Sequence, residues 1–373
     1  MKYKLTIFFS LIFSLITYSQ TTYVFFGSYN RDTSTDGIYI YSLDIKNGNL
    51  KKISTNNSIF NPTFLTLSPN GKFLYACTES QTKNAGSVSS YEFDAKKGTL
   101  KFLNSQKSGG ENPVFLTVDE NGKWLVNVNY TEGSISVYPL SENGIINPAT
   151  QILQFTEGSG INPKRQDRAH IHSSVFSIDQ KYIFFPDLGA DKIRSYKFDN
   201  LNIQPLQKEN FTSSTLGSGP RHLIFHPNGQ FAYCIEELAG AISVYKYEKG
   251  QLDNIQRVLT HPKDYNGFIM SADIHISPDG NFLYASNRGD QNNISIFSIN
   301  VDGTLKEVGY QSSLGVHPRI FSIDSSGQFL IVTNLVSGNA FVFRRDLKSG
   351  LLKKVGKKVK IKNVSFVQIR KYE

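Results

Sequence analysis

The sequence predicts an all-β fold, a seven-bladed β-propeller built from four-stranded antiparallel blades, and three observations carry that reading. A Ser-Pro-Asn-Gly-like turn recurs along the chain, with its glycine at Gly71, Gly122, Gly229, Gly280 and Gly327. These glycines lie 51, 107, 51 and 47 residues apart, so the repeat is about 50 residues long and one copy hides inside the longest gap. Each repeat carries short strands rich in aromatic and β-branched residues, and no segment sustains a helical apolar period beyond about two turns.

The second repeat shows the unit plainly. An extended run Asn61 to Leu67 leads to the turn Ser68-Pro69-Asn70-Gly71, then to strands at Phe73 to Cys77 and Ser87 to Phe93, and a second hairpin closes at Gly98-Thr99-Leu100. Four strands per period, with turn chemistry at fixed offsets, mark propeller blades rather than a sandwich. Counting the second strand of each unit gives seven copies: Tyr23–Phe26, Phe73–Tyr75, Trp124–Val126, Tyr182–Phe184, Phe231–Tyr233, Phe282–Tyr284 and Phe329–Ile331. The fourth copy, around Gln180-Lys181, reads as a shortened turn. The first unit lacks an inner strand, and Val364 to Ile369 at the far end has the missing pattern, so the C-terminus is expected to pair into the first blade and close the ring.

Residues 1–19 read as a secretory signal, with Lys2 and Lys4, an apolar run Leu5 to Ile16 too short to span a bilayer, and a Thr17-Tyr18-Ser19 cleavage site. That leaves 20–373 as one propeller domain, exported to a periplasm or the exterior, with no membrane span and a monomer favoured. The two cysteines, Cys77 and Cys234, fall three repeats apart and read as separate buried thiols. The net charge of +9 includes six lysines between Lys353 and Lys362 that alternate as on an exposed edge strand, where lysine discourages aggregation. No recognition helix or stacking motif accompanies that charge, so nucleic acid is not an expected partner.

Inner strands line a propeller's channel, and the start of each lies on the same rim as the end of the second strand beside it. The repeats break their own rule there. The position of Phe64 becomes Phe115, Val175, His222, Asp273 and Ile320 in later blades, and that of Thr63 becomes Val114, Ser174, Arg221, Ala272 and Arg319. The position of Thr66 becomes His275. At the end of the second strand stand Asn129-Tyr130, Asp187-Leu188, Glu236-Glu237, Asn287-Arg288 and Asn334-Leu335, while His170 and His172 precede the fourth inner strand. Charge at inner-strand positions is unfavourable unless paired or solvated, so the bias toward blades four to seven points to a functional rim rather than scattered ion pairs. His170-x-His172 with His222 or His275 could hold zinc, but the spacing alone is weak and no cysteine joins it, so neither a metal nor another cofactor is expected. The loop from Thr156 to Ala169, with Lys164, Arg165 and Arg168, is long enough to be a functional element.

At these residues the chain resembles the seven-bladed-propeller lactonases typified by bacterial 6-phosphogluconolactonase, whose relatives include carboxymuconate-lactonising enzymes. The stretches that carry the likeness are Ala169-His170-Ile171-His172-Ser173, Pro186-Asp187-Leu188-Gly189, Gly219-Pro220-Arg221-His222-Leu223, Glu237-Leu238, Ala272-Asp273-Ile274-His275, Asn287-Arg288-Gly289 and Pro318-Arg319. Two positions depart from the family pattern: Glu236 stands where asparagine is usual, and Asp273 where glutamate is. The resemblance implies hydrolysis of a small anionic or sugar-derived lactone. It implies His222 or Glu237 as general base, His170, His172 and His275 as donors or orienters, and Arg221, Arg288 and Arg319 as the anion clamp, with Asp187, Glu236, Asp273 and Asn287 at the substrate. Interconversion of muconate-type acids and lactones, or non-catalytic binding of an anionic sugar or protein partner, would use the same rim.

Overall fold

The computed structural model describes residues 20–30, 35–78, 80 and 86–372. The proposed signal at 1–19 lies outside them. The described residues form seven four-stranded antiparallel sheets. In the first sheet Val364–Tyr372 is innermost, followed by Thr21–Ser28, Ile38–Leu43 and Leu50–Asn56, so the last strand of the chain completes the first blade. Val24 pairs with Ile369 and Phe26 with Val367, which is the closure the repeat count required.

The turns explain the period. In the second blade Gly71 N–H donates to Ser68 O at 2.8 Å, and Gly71 has φ of 71°, a left-handed conformation that an L side chain resists. The fourth blade corrects one expectation, because its turn is full length. Gln180, with φ of 56°, occupies the glycine position and donates its N–H to Ser177 O at 2.9 Å. Its own Nε2 also reaches Ser177 O at 3.4 Å, which anchors a non-glycine residue there.

Blades pack face to face, and the apolar core is a series of layers between neighbours. The outer hairpin of each blade abuts the second strand of another: a β-carbon added at Gly303, whose φ is 82°, would lie 2.4–2.6 Å from atoms of the Phe231 ring. The hydroxyl of Tyr233 donates to Gly303 O at 2.9 Å across the same seam, so shape and a buried hydrogen bond fix the blade spacing together. Cys77 and Cys234 are buried free thiols.

Candidate active site

Two backbone devices place the site. Before several inner strands the chain takes a left-handed residue, and the carbonyl of that residue accepts the N–H of the residue just past the second strand. Gly219 O accepts from Glu237 N at 2.8 Å, Asn112 O from Tyr130 N at 2.9 Å, His317 O from Leu335 N at 3.0 Å and Asn363 O from Tyr29 N at 3.1 Å. Glu237, Tyr130, Leu335 and Tyr29 are therefore equivalent positions around one rim.

The alternation of a strand then separates two sets of polar residues. The residue one step earlier turns into its own blade. Asn287 Nδ2 donates to Thr260 O at 2.9 Å and Ser295 Oγ at 2.7 Å, as Asn129 does to Ser108 O and Ser134 Oγ in the third blade. Asp187 accepts from His170 N at 2.8 Å and from Arg194 Nε at 3.0 Å. Glu236 accepts from Ser243 Oγ at 2.6 Å and from both Arg257 Nε and Nη2, at 2.8 and 2.6 Å. Asp187, Glu236 and Asn287 are thus blade braces whose polar atoms are spent away from the rim. Glu236 can stand for an asparagine because Arg257 neutralises it.

Glu237 is the centre of the other set. Its side chain is 3% exposed and meets three guanidinium groups: Arg165 Nη2 at 2.6 Å on Oε1, and Arg221 Nε at 2.8 Å and Arg288 Nη2 at 2.7 Å on Oε2. Burial alone would raise its carboxyl, but Arg288, Arg221 and Arg165 outweigh burial and hold it well below the usual carboxylate range. Arg221 also donates through Nη1 to Ala272 O, and burial followed by the nearby Arg288 charge pulls its guanidinium down to about 9. The positive potential of the cluster is high enough for its members to disfavour one another's charge.

Three histidines gather beside it. His222 donates from Nδ1 to Asp273 Oδ1 at 2.9 Å, and its Nε2 accepts from Arg221 Nη1 at 3.2 Å, so both ring nitrogens are occupied and the tautomer follows from the contacts. Burial and Arg221 press its pKa down to about 4 despite Asp273. The His172 ring lies 5.3 Å from that of His222, and burial with Arg221 keeps it neutral, while its buried Nδ1 has no hydrogen-bond partner. His170 stacks on Tyr130 with centroids 4.4 Å apart and bonds Tyr130 O through Nδ1 at 2.8 Å, which makes it a pin for the loop before it. That loop is fixed from below by fully buried Gln166, whose Nε2 reaches Leu188 O and Asp191 Oδ1, and Arg165 beside it dips onto Glu237.

His275 sits apart from the arginines. Two residues on from Asp273 is one full pleat along the strand, so its ring lies deeper in the channel, bonded to Asp273 Oδ2 at 3.0 Å. It lines a cavity of about 340 Å³ with Thr66, Thr117, Ser322 and Gln368. Arg319 lies over the Tyr29 ring at 5.9 Å, and its charge bears on His172, Arg221, Arg288 and His317. Among the described residues no three His, Cys, Asp or Glu side chains are grouped as ligands for a metal ion.

The profile of the family described as "Lactonase, 7-bladed beta-propeller" matches residues 23–369. The chain belongs to this lactonase family. It is 42% identical over 354 residues, 94% of this chain and 99% of the relative, to the 6-phosphogluconolactonase of Formosa agariphila. It is 32% identical to the 6-phosphogluconolactonase of Bacillus subtilis, covering 89% of this chain and 94% of the relative. Among solved structures, the periplasmic gluconolactonase of Pseudomonas aeruginosa superposes with a TM-score of 0.89 at 32% identity, covering 94% and 99% of the two chains. Set against this lactonase frame, sequence reasoning passed over His317, which precedes Pro318-Arg319 and brings Nε2 to 3.5 Å from Arg288 Nη1. Its adjacency to the Pro-Arg pair was the available signal.

Proposed function

We propose that this lactonase-family chain hydrolyses a sugar-derived lactone, of the 6-phosphogluconolactone or gluconolactone type, to its open-chain hydroxy acid. The observation that carries the reading is a buried carboxylate, Glu237, enclosed by Arg165, Arg221 and Arg288 beside the neutral and unpartnered imidazole of His172. Guanidinium groups suit an acidic substrate and the oxyanion formed when water attacks the lactone carbonyl.

The arrangement favours His172 as general base over His222 or Glu237. Both nitrogens of His222 are engaged and both oxygens of Glu237 are held by guanidinium groups, whereas Nδ1 of His172 has no hydrogen-bond partner. In this scheme the water oxygen bonds the carbonyl carbon as its proton passes to His172. Collapse of the tetrahedral adduct breaks the ring C–O bond, and His172 returns the proton to the departing ring oxygen. Arg221 holds the developing oxyanion, Glu237 fixes Arg221 and Arg288, and the Asp273–His222 pair orients Arg221. Removal of residues 1–19 on export is part of the same proposal, and the periplasmic location of the Pseudomonas relative supports it.

A pH-stat assay of the mature protein on phosphorylated and plain gluconolactones tests the activity. Base consumption well above spontaneous hydrolysis is expected, falling by about a hundredfold or more in Arg221→Ala. Rates equal to the spontaneous background on both substrates overturn the proposal.

A further inference from the structure

The turn into the inner strand is left-handed in five of the seven blades, with one chemical exception. Asn61, Asn112, Gly219, His317 and Asn363 all have left-handed backbones there, with φ of 42°, 65°, 63°, 66° and 53°. The other four are asparagine or glycine, so the seventh blade is the one of these five whose turn presents an ionisable ring. A left-handed side chain persists where the surrounding structure enforces it.

The enforcement is visible. His317 N donates to Asn292 Oδ1 at 2.7 Å and its carbonyl accepts from Leu335 N at 3.0 Å, so the backbone is pinned on both sides. The ring is only partly buried, unlike those of His172 and His222. The charged groups that act on it are Arg288, Arg319 and Arg221, with Glu237 opposing them. Burial and then those arginines press its pKa down to about 3, so the ring is neutral. With Nε2 turned to Arg288 Nη1, the single ring proton resides on Nδ1. The neutral, partly exposed ring thus stands beside Arg288 and within the field of Arg319, and guanidinium groups suit phosphate oxygens.

We propose that His317, together with Arg288 and Arg319, forms the subsite for a phosphate monoester on the substrate and is the residue that separates phosphorylated from plain lactones. The inference rests on the lactonase reading for the rest of the substrate. Its partly exposed position suits a substituent remote from the reacting carbonyl, which belongs beside buried Arg221 and His172.

Calorimetric titration of the mature protein with 6-phosphogluconate and with gluconate tests the subsite without turnover, in the wild type, His317→Gly and Arg319→Gln. Glycine is the residue the fifth blade uses at this turn, so His317→Gly should fold, with a melting temperature near that of the wild type. We expect the wild type to bind the phosphorylated acid at least tenfold more tightly. The ratio should shrink to threefold or less in His317→Gly and in Arg319→Gln, through weaker binding of 6-phosphogluconate alone. A wild type without preference, or variants that keep the full ratio, overturns the subsite. Retained discrimination in a protein that turns over neither lactone supports the subsite and rejects the lactonase reading instead.

Discussion

The same inner-strand position is filled in two ways on the two sides of the ring. In the first three blades it is Phe366, Phe64 and Phe115, with ring centroids 4.5 Å apart for Phe64–Phe366 and 4.1 Å for Phe64–Phe115. In the fifth and sixth blades it is His222 and Asp273, joined by a 2.9 Å hydrogen bond, and Phe115 meets His222 edge-on at 5.2 Å where the two arcs join. The aromatic arc shows what the polar arc needs. An apolar wall excludes water from one side, which strengthens the hydrogen bonds and ion pairs on the other and displaces their titration.

The most drastic way to break the contrast is to end the chain at Asn363. This removes Phe366 and the whole innermost strand of the first blade, so cooperative unfolding should vanish from a calorimetric scan. An unchanged transition would show that the ring does not depend on its closing strand. In the polar arc Glu237→Gln leaves three guanidinium groups with one buried neutral acceptor. Lactone turnover should fall by about a hundredfold or more, and stability should fall by about 3–5 kcal/mol in denaturant titration.

A matched pair sharpens the comparison. Phe115→Ala should destabilise by about 3–5 kcal/mol through lost packing, with the turnover of the protein that remains folded reduced only a few fold. His222→Gln should do the reverse, with a smaller change in stability and a larger loss of turnover. If both variants lose activity in proportion to stability, the division into wall and machinery is wrong.

The smallest effect is in pH. The folded pKa of His222 is pressed down to about 4, below its unfolded value near 6.5. Between those values the unfolded chain binds a proton that the folded one refuses, so stability is fully present above about 6.5 and declines as pH falls toward 4. Glu237 and Asp273, depressed for the opposite reason, add to the decline only below about pH 4. Melting temperatures from pH 8 to pH 4 should therefore fall, and His222→Gln should flatten part of the slope between 6.5 and 4.

The blade count, the closing strand and most of the arginine cluster were legible because turn glycines and strand alternation are written locally. What alternation could also have revealed, but did not without coordinates, is that Asp187, Glu236 and Asn287 point opposite to their successors. The equivalent asparagines of other blades make the same brace, and a reader of one chain sees only a polar pair. The loop offered Lys164, Arg165 and Arg168 alike, and buried Gln166 decides that Arg165 enters the site. His317 stayed hidden because the turn before an inner strand is filled by asparagine, glycine or histidine, so only its neighbour Pro318-Arg319 marked it.

The first blade is finished by residues 364–372, which pair with a strand more than three hundred residues away along the chain. Without that pairing Thr21–Ser28 has an unsatisfied edge, and the Phe64–Phe366 contact cannot form. Assembly of the pocket is thereby tied to a pairing between strands distant along the chain, and a product cut short of residue 364 keeps an open sheet edge, a template for aggregation.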